Sequence, residues 1–181
     1  KNSSTEYYQV FRQGKALKHP DTGETLAYEA QYLGDARMLE SGDPSKLVVT
    51  RVKQEILPTD RLLAAPEKAA LPYYFPRAPD KNVKGRILAA VNGLREFGPT
   101  TIVAISLGKR EGVEIGHVLS LHRNRGETVY REDNVGAPQR FQLPEQRYGL
   151  VFVFRVFDRI AYALVMENNG PVSVADSVRK P

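Results

Sequence analysis

The chain has 181 residues, 41% hydrophobic and 26% charged, a composition that supports one large or two small folded domains and excludes wholesale disorder. It has no cysteine, which excludes a disulfide framework, thiolate metal sites and a cysteine nucleophile, and leaves the redox compartment open. A net charge of +5 and a pI near 9.4 would suit a polyanion, but residues 1–81 carry 12 basic against 11 acidic side chains and residues 82–181 carry 14 against 10.

No initiator methionine and no charged-then-apolar leader open the chain, as expected of a processed form or an excised piece of something longer. An Asn-Ser-Ser tripeptide at Asn2 matches the glycosylation pattern, a short motif that also arises by chance. From there Val, Ile, Thr, Tyr and Phe gather in short runs divided by Gly, Pro, Asn and Asp, which is the punctuation of an all-β protein. The first runs are Tyr7 to Arg12, Thr25 to Leu33 and Leu47 to Ile56, separated by the turn segments "HPDTGET" and "SGDPSK". Alternation in the second places Leu26, Tyr28, Ala30 and Tyr32 on one face and Thr25, Ala27, Glu29 and Gln31 on a wet one.

Next comes "APEKAALPYYFPRAPDKNVKG", with prolines at 66, 72, 76 and 79, too many for a central sheet and suited to a semi-rigid linker. The expected division is a first β domain at 1–65, a linker at 66–82 and a second β domain at 83–181. Tyr73, Tyr74 and Phe75, three adjacent aromatics in that linker, are candidate partner-binding residues, or else pack back on the domains.

In the second half, strands are expected at Lys84 to Val91, Thr101 to Leu107, Val118 to His122, Leu150 to Phe157 and Ile160 to Glu167. "GRILAAVNGLREF" is the best helix candidate, but Gly93 and the β-branched Ile87 and Val91 favour a strand and a turn. Glycines 108, 112 and 116 in "GKREGVEIG" would let the chain turn twice without strain; a phosphate loop is not supported, because a strand follows instead of a helix N-terminus. The densest basic window is "HRNRGETVYR", and Lys109, Arg110, Arg123, Arg125 and Arg131 are the candidate contacts for a polyanion, nucleic acid or polysaccharide. The most apolar stretch, "YGLVFVFRVFDRIAYALVMEN", cannot be a spanning helix, because Arg155, Asp158 and Arg159 stand at its centre. Both faces of "LVFVFRVF" begin apolar, so this strand is expected to be covered on both sides, with Asp158 and Arg159 at a hairpin turn and Arg155 needing an acid or solvent.

An internal repeat bears on architecture. "LAYEAQYLGDARM" lies over "LVFVFRVFDRIAY" at an offset of 124, setting the expected turn Gly34-Asp35 over Asp158-Arg159. At an offset of 116, "EILPTDRL" lies over "PVSVADSV", Ile56 over Val172 and Asp60 over Asp176. The fold class expected is all-β, two related small barrel- or sandwich-like domains joined by a Pro-rich linker.

Catalytic constellations do not emerge from the pattern. His19, His117 and His122 offer no metal-ligand spacing, and no nucleophile elbow, phosphate loop or dinucleotide fingerprint occurs. Carboxylate pairs such as Glu111 with Glu114 and Glu132 with Asp133 sit among Lys and Arg as surface charges. No catalytic, cofactor-binding or metal residue is expected.

Three stretches together resemble a known family: "TGETLAYEAQYLGDARML" with "GDPSKLVVTRVKQEILPTDRLL", then "YFPRAPDKNVKGRIL", then "IVAISLGKREGVEIGHVLSLHR" with "YGLVFVFRVFDRIAYALVM". They are similar to the C-terminal region of LysM-containing envelope proteins associated with the type IV pilus secretin, the TsaP family, itself similar to the C-terminal domain of flagellar assembly protein T. The resemblance runs from about Tyr8 to Val178 and implies a non-enzymatic protein of the Gram-negative periplasm and outer membrane, partnered by the secretin ring. In that family peptidoglycan is bound by a separate LysM module, so peptidoglycan binding is not carried over to these residues. Thr59-Asp60 departs from the expected Gly-Asp and implies a turn position that tolerates Thr, or a slightly different bend.

Overall fold

The computed structural model describes residues 6–65, 74–91, 96–130 and 139–181. They are all-β without an α-helix, and among these described residues no helix is long and apolar enough to cross a membrane. The described residues fall into two compact units, one of 6–16 with 28–65 and the other of 17–27 with everything from 74 onward. The break therefore does not follow the linker alone: the tip of the first hairpin belongs to the second unit, where Leu17, Leu26 and Ala27 pack with Leu88, Ala104 and Ile160.

The first unit is built on four strands, β1 (Tyr7–Lys18), β2 (Thr25–Glu40), β3 (Lys46–Val52) and β4 (Arg61–Ala64), in the order β3-β2-β1-β4. Its core is small: Val10, Leu33 and Ala36 are buried, with Tyr8, Leu47 and Ile56 against them. The expected turn at Gly34-Asp35 is not there. β2 runs straight through those residues, Gly34 opposite Val52 and Asp35 opposite Arg51, and a side chain at Gly34 would run into the Arg51 carbonyl. That glycine permits close backbone approach at a bulge, so it resembled a turn signal without being one.

The second unit carries β5 (Lys84–Ala90), β6 (Glu96–Phe97), β7 (Ile102–Ile105), β8 (Val118–Arg123), β9 (Glu127–Tyr130), β10 (Gln139–Gln142), β11 (Gln146–Val156), β12 (Ala161–Asn168), β13 (Val172–Ser173) and β14 (Ser177–Arg179). Six of them close an antiparallel barrel in the order β11-β12-β7-β5-β14-β8, while β9 pairs with β10 and β6 with β13. Period-2 alternation fills the interior with Val103, Ile105, Leu119, Leu121, Val151, Val153, Ala161, Ala163 and Val165, small and branched side chains that suit a narrow barrel. The hairpin of β11 and β12 turns at Asp158-Arg159 as its sequence indicates, although β11 begins four residues earlier than Leu150. Gly112 and Gly116 have φ of 80° and 94°, as turning glycines should. Gly108 is different: its φ is −140°, and its missing side chain makes room for the Asp158-Arg159 backbone, 2.5 to 2.7 Å from where a Cβ would stand.

One turn recurs three times. Leu57 N–H donates to Asp60 Oδ2 (2.7 Å) while Asp60 N–H returns to the Leu57 carbonyl (3.0 Å). Ser173 N–H donates to Asp176 Oδ2 (2.9 Å) with the return bond at 3.2 Å, and Glu114 N–H donates to His117 Nδ1 (3.1 Å) with its return at 3.2 Å. In each, an apolar residue comes just before the turn, Ile56, Val172 or Val113, and a strand follows. The third position has positive φ at Gly116 and Ala175 (73°), whereas Thr59, preceded by Pro58, is not in that region. Of the two outcomes expected at Thr59, the structure shows the slightly different bend, with Thr59 outside the positive-φ region that threonine avoids.

The histidine version of this turn titrates. Burial first, then Arg77, pushes the buried His117 below the ordinary imidazole value, against a smaller opposing pull from Glu114 and Asp80. A proton on Nδ1 would also displace the Glu114 N–H. Because the folded-state pKa is depressed, this contribution to stability is fully present above pH about 6.5 and is lost as pH falls through the folded value. Urea unfolding between pH 5 and 8 is expected to show this decline, and His117→Asn, whose carboxamide oxygen can accept the same N–H, should flatten it. An unchanged slope in the variant would show that His117 does not contribute.

Candidate interaction surface

The outward positions of the barrel strands are also apolar, and here the expectation of a strand covered on both sides is only half met. Ile102, Phe152, Phe154, Leu164 and Met166 alternate with the interior residues on β7, β11 and β12. They face outward beside Tyr74 and Pro76 and line an open groove of about 490 Å³. Further along the same outer face, Ala104 and Tyr162 are covered by the hairpin tip through Leu17 and Leu26. The groove is the part of this apolar stripe that the tip does not reach. Met166 is 55% exposed within it.

Segment 74–77 forms one wall. Arg77 bridges to His117 in parallel, Arg77 N–H donates to the Gly116 carbonyl (3.0 Å), and the Arg77 guanidinium pairs with Glu114. This anchoring presses Tyr74 edge-on against Phe152, with ring centroids 5.4 Å apart at 81°. Of the three aromatics singled out in the sequence, Tyr74 therefore packs back on the barrel, Phe75 projects with 79% exposure, and Tyr73 lies outside the described residues. At the far end of β11, a bulge turns Arg155 to the outer face opposite Tyr162. Its guanidinium stacks over Phe157, 5.2 Å from the ring centre, and takes the solvent route.

The candidate polyanion residues do not converge. Lys109 and Arg110 lie beside the β11–β12 turn, where Lys109 N–H donates to the Phe157 carbonyl and Arg110 pairs with Asp158 (2.5 Å). Arg123 sits at the opposite end of β11, paired with Gln146, its guanidinium over Tyr148 and donating to the Pro171 carbonyl. Arg125 follows in the β8–β9 loop, and Arg131 lies outside the described residues. The eleven residues of β11 separate the two groups by about 30 Å.

Remaining polar clusters serve structure. Glu145 is shared by Lys84 and Arg179, and Arg86 bridges Asp21 (2.8 Å) and Ser177 Oγ (2.7 Å). The Glu111 carboxylate accepts the Gly108 N–H, and Glu114 is held by Arg77; Glu132 and Asp133 lie outside the described residues. Among the described residues no group of three or more His, Asp or Glu is placed to hold a metal ion. A smaller cavity of about 370 Å³ is lined by Arg147, Tyr148, Gly149, Glu167, Asn168 and Asn169. Sequence reading singled out the aromatics of one wall and missed Ile102, Leu164 and Met166 opposite. Their signal was present, since "AYALVM" like "GLVFVF" is apolar at both parities.

A scan against models of known protein families finds no match, and a search of curated proteins finds no significantly similar sequence.

Proposed function

We propose that this chain is a non-enzymatic interaction module of the Gram-negative cell envelope, docking on the type IV pilus secretin ring on the periplasmic side of the outer membrane. The family resemblance supplies the partner and the location. Peptidoglycan would be reached through a LysM module of the kind that accompanies such regions. The observation that carries an interaction role is the apolar groove between Tyr74 and Met166, with Phe75 exposed at its wall: apolar surface of this kind marks a protein contact.

Two related domains built from an internal repeat are part of the same proposal. Its support is the pair of turns at Leu57–Asp60 and Ser173–Asp176, which share their reciprocal hydrogen bonds at the offset of 116. Each leads into a short strand, β4 or β14.

Purified secretin rings captured on a surface are expected to bind the 181-residue chain at micromolar concentration. Met166→Lys and Phe75→Glu, at exposed positions, should each weaken binding about tenfold or more with unchanged thermal unfolding. No binding by the wild-type chain would remove the secretin as partner. Equal binding by both variants would remove the groove as the contact.

A further inference from the structure

The barrel groove is apolar along its length but carries a charge at each end, and two bulges put them there. Strict alternation from Val151 and Val153 would send Arg155 into the barrel, and alternation from Ala163 and Val165 would send Glu167 there as well. Neither goes in. Phe154 is the extra residue of a bulge in β11, so Arg155 stands opposite the outward Tyr162. Met166 is the extra residue of a bulge in β12, so Glu167 stands opposite Leu150, which alternates with the interior Val151 and faces outward. Directly opposed residues share a face. Each bulge therefore adds an apolar side chain to the groove, Phe154 or Met166, and brings the charged residue beyond it onto the same outer face.

The two charges are opposite in sign and exposed. Arg155 lies over the Phe157 ring, Glu167 lines the smaller cavity with Arg147, and among the described residues neither enters an ion pair. Arg77 and Glu114, by contrast, are paired with each other. Leu150, opposite Glu167, and Arg155 are five residues apart on β11, which sets the two charges about 15 Å apart along the groove. The barrel already shows how this stripe is covered. Next to the groove, the hairpin tip lays Leu17 and Leu26 over Ala104 and Tyr162, and closes its flanks with Asp21 on Arg86 (2.8 Å) and Glu24 on Arg159 (2.8 Å). We infer that the groove takes an extended segment of a partner protein with a carboxylate at one end, a cation at the other and apolar side chains between, its acid at Arg155 and its base at Glu167. This rests on the groove being a protein contact and adds what that contact selects. In an extended segment alternate side chains share a face, so charges four to six residues apart span about 13 to 20 Å and reach both lips. An acyl chain would draw nothing from either charge, and a uniformly acidic or basic segment would set one charge against its own sign.

Three acetylated and amidated peptides test this on the 181-residue chain by NMR titration: Glu-Ser-Leu-Ser-Leu-Ser-Lys, and the same sequence with glutamate or with lysine at both ends. The mixed peptide is expected to bind the wild-type chain about fivefold more tightly than either uniform one at low salt, with the difference fading near about 0.5 M salt. Arg155→Glu should move the preference to the two-lysine peptide and Glu167→Lys to the two-glutamate peptide, with thermal unfolding unchanged at these exposed positions. Equal affinity for all three peptides, lost together in Met166→Lys, would overturn the charge selection and leave the groove a protein contact. A preference that survives Met166→Lys would place the peptide outside the groove and overturn both readings. No binding of the mixed peptide at millimolar concentration, or a preference unmoved in both charge variants, would also overturn the inference.

Discussion

Leu119→Ala is expected to destabilise the barrel by about 3 to 5 kcal/mol, the largest single effect foreseen here. Leu119 is fully buried near the start of β8, opposite Val151 of β11, and the next residue, Ser120, is paired with Arg179 of β14 on the other side. With both ladders holding the backbone in place, neighbours such as Val151 and Val178 cannot move in to fill the space, so the cavity term adds to the lost transfer energy. Urea unfolding followed by near-ultraviolet circular dichroism gives the value. A loss below about 1 kcal/mol would mean that the interior is looser than its alternation indicates.

Asp176→Ala is the second, with an expected cost of about 3 kcal/mol. The carboxylate of this buried residue accepts the Tyr148 hydroxyl at 2.6 Å and the Ser173 N–H at 2.9 Å, so its removal strands two donors. Burial, and then the bond to Asp176, pushes the Tyr148 hydroxyl well above its ordinary value, and it stays protonated as a donor through the alkaline range. Tyr148→Phe should cost less, about 1 to 2 kcal/mol, because Asp176 keeps the turn N–H. The two changes share an interaction, so the double variant should lose less than the sum of the single variants. Simple additivity would mean that the Tyr148–Asp176 bond contributes nothing in solution.

The Asp60 turn tests the same device in the other unit by a different balance of forces. Arg12 grips Asp60 through Nε (2.7 Å) and Nη2 (2.8 Å), and this pairing, with the Leu57 N–H, holds the carboxyl below its usual range. Since the shift is downward, its contribution is present above the ordinary carboxylate value and is lost as pH falls through the lowered one. Acid should therefore weaken the His117 turn of the barrel first and the Asp60 turn later.

Strand identity was legible because period-2 alternation is a local property. The runs at Tyr7, Thr25, Leu47, Lys84, Thr101, Val118, Leu150 and Ile160 all lie in or overlap strands. Ends were less legible: β2 continues to Glu40 through a Gly-Asp that resembles a turn, and the short β6, β13 and β14 carry too few residues to show a period. Tyr74 of one groove wall stood out within a run of three consecutive rings, while the opposite wall is spread over β7, β11 and β12 and meets only on folding.

The sequence by itself determined that this protein is all-β and that residues 148 to 168 form a hairpin in place of a membrane helix. These follow from alternation, charge placement and turn chemistry, each written within a few neighbouring residues. Only the tertiary structure decided that six strands close, that the first hairpin's tip belongs with the barrel, and that His117 repeats the aspartate turn. It also decided which apolar face stays open. Such outcomes depend on which strands pair across long stretches of chain. Hydrophobic burial, the force that selects those pairings, is non-directional, so the residues alone do not name their partners.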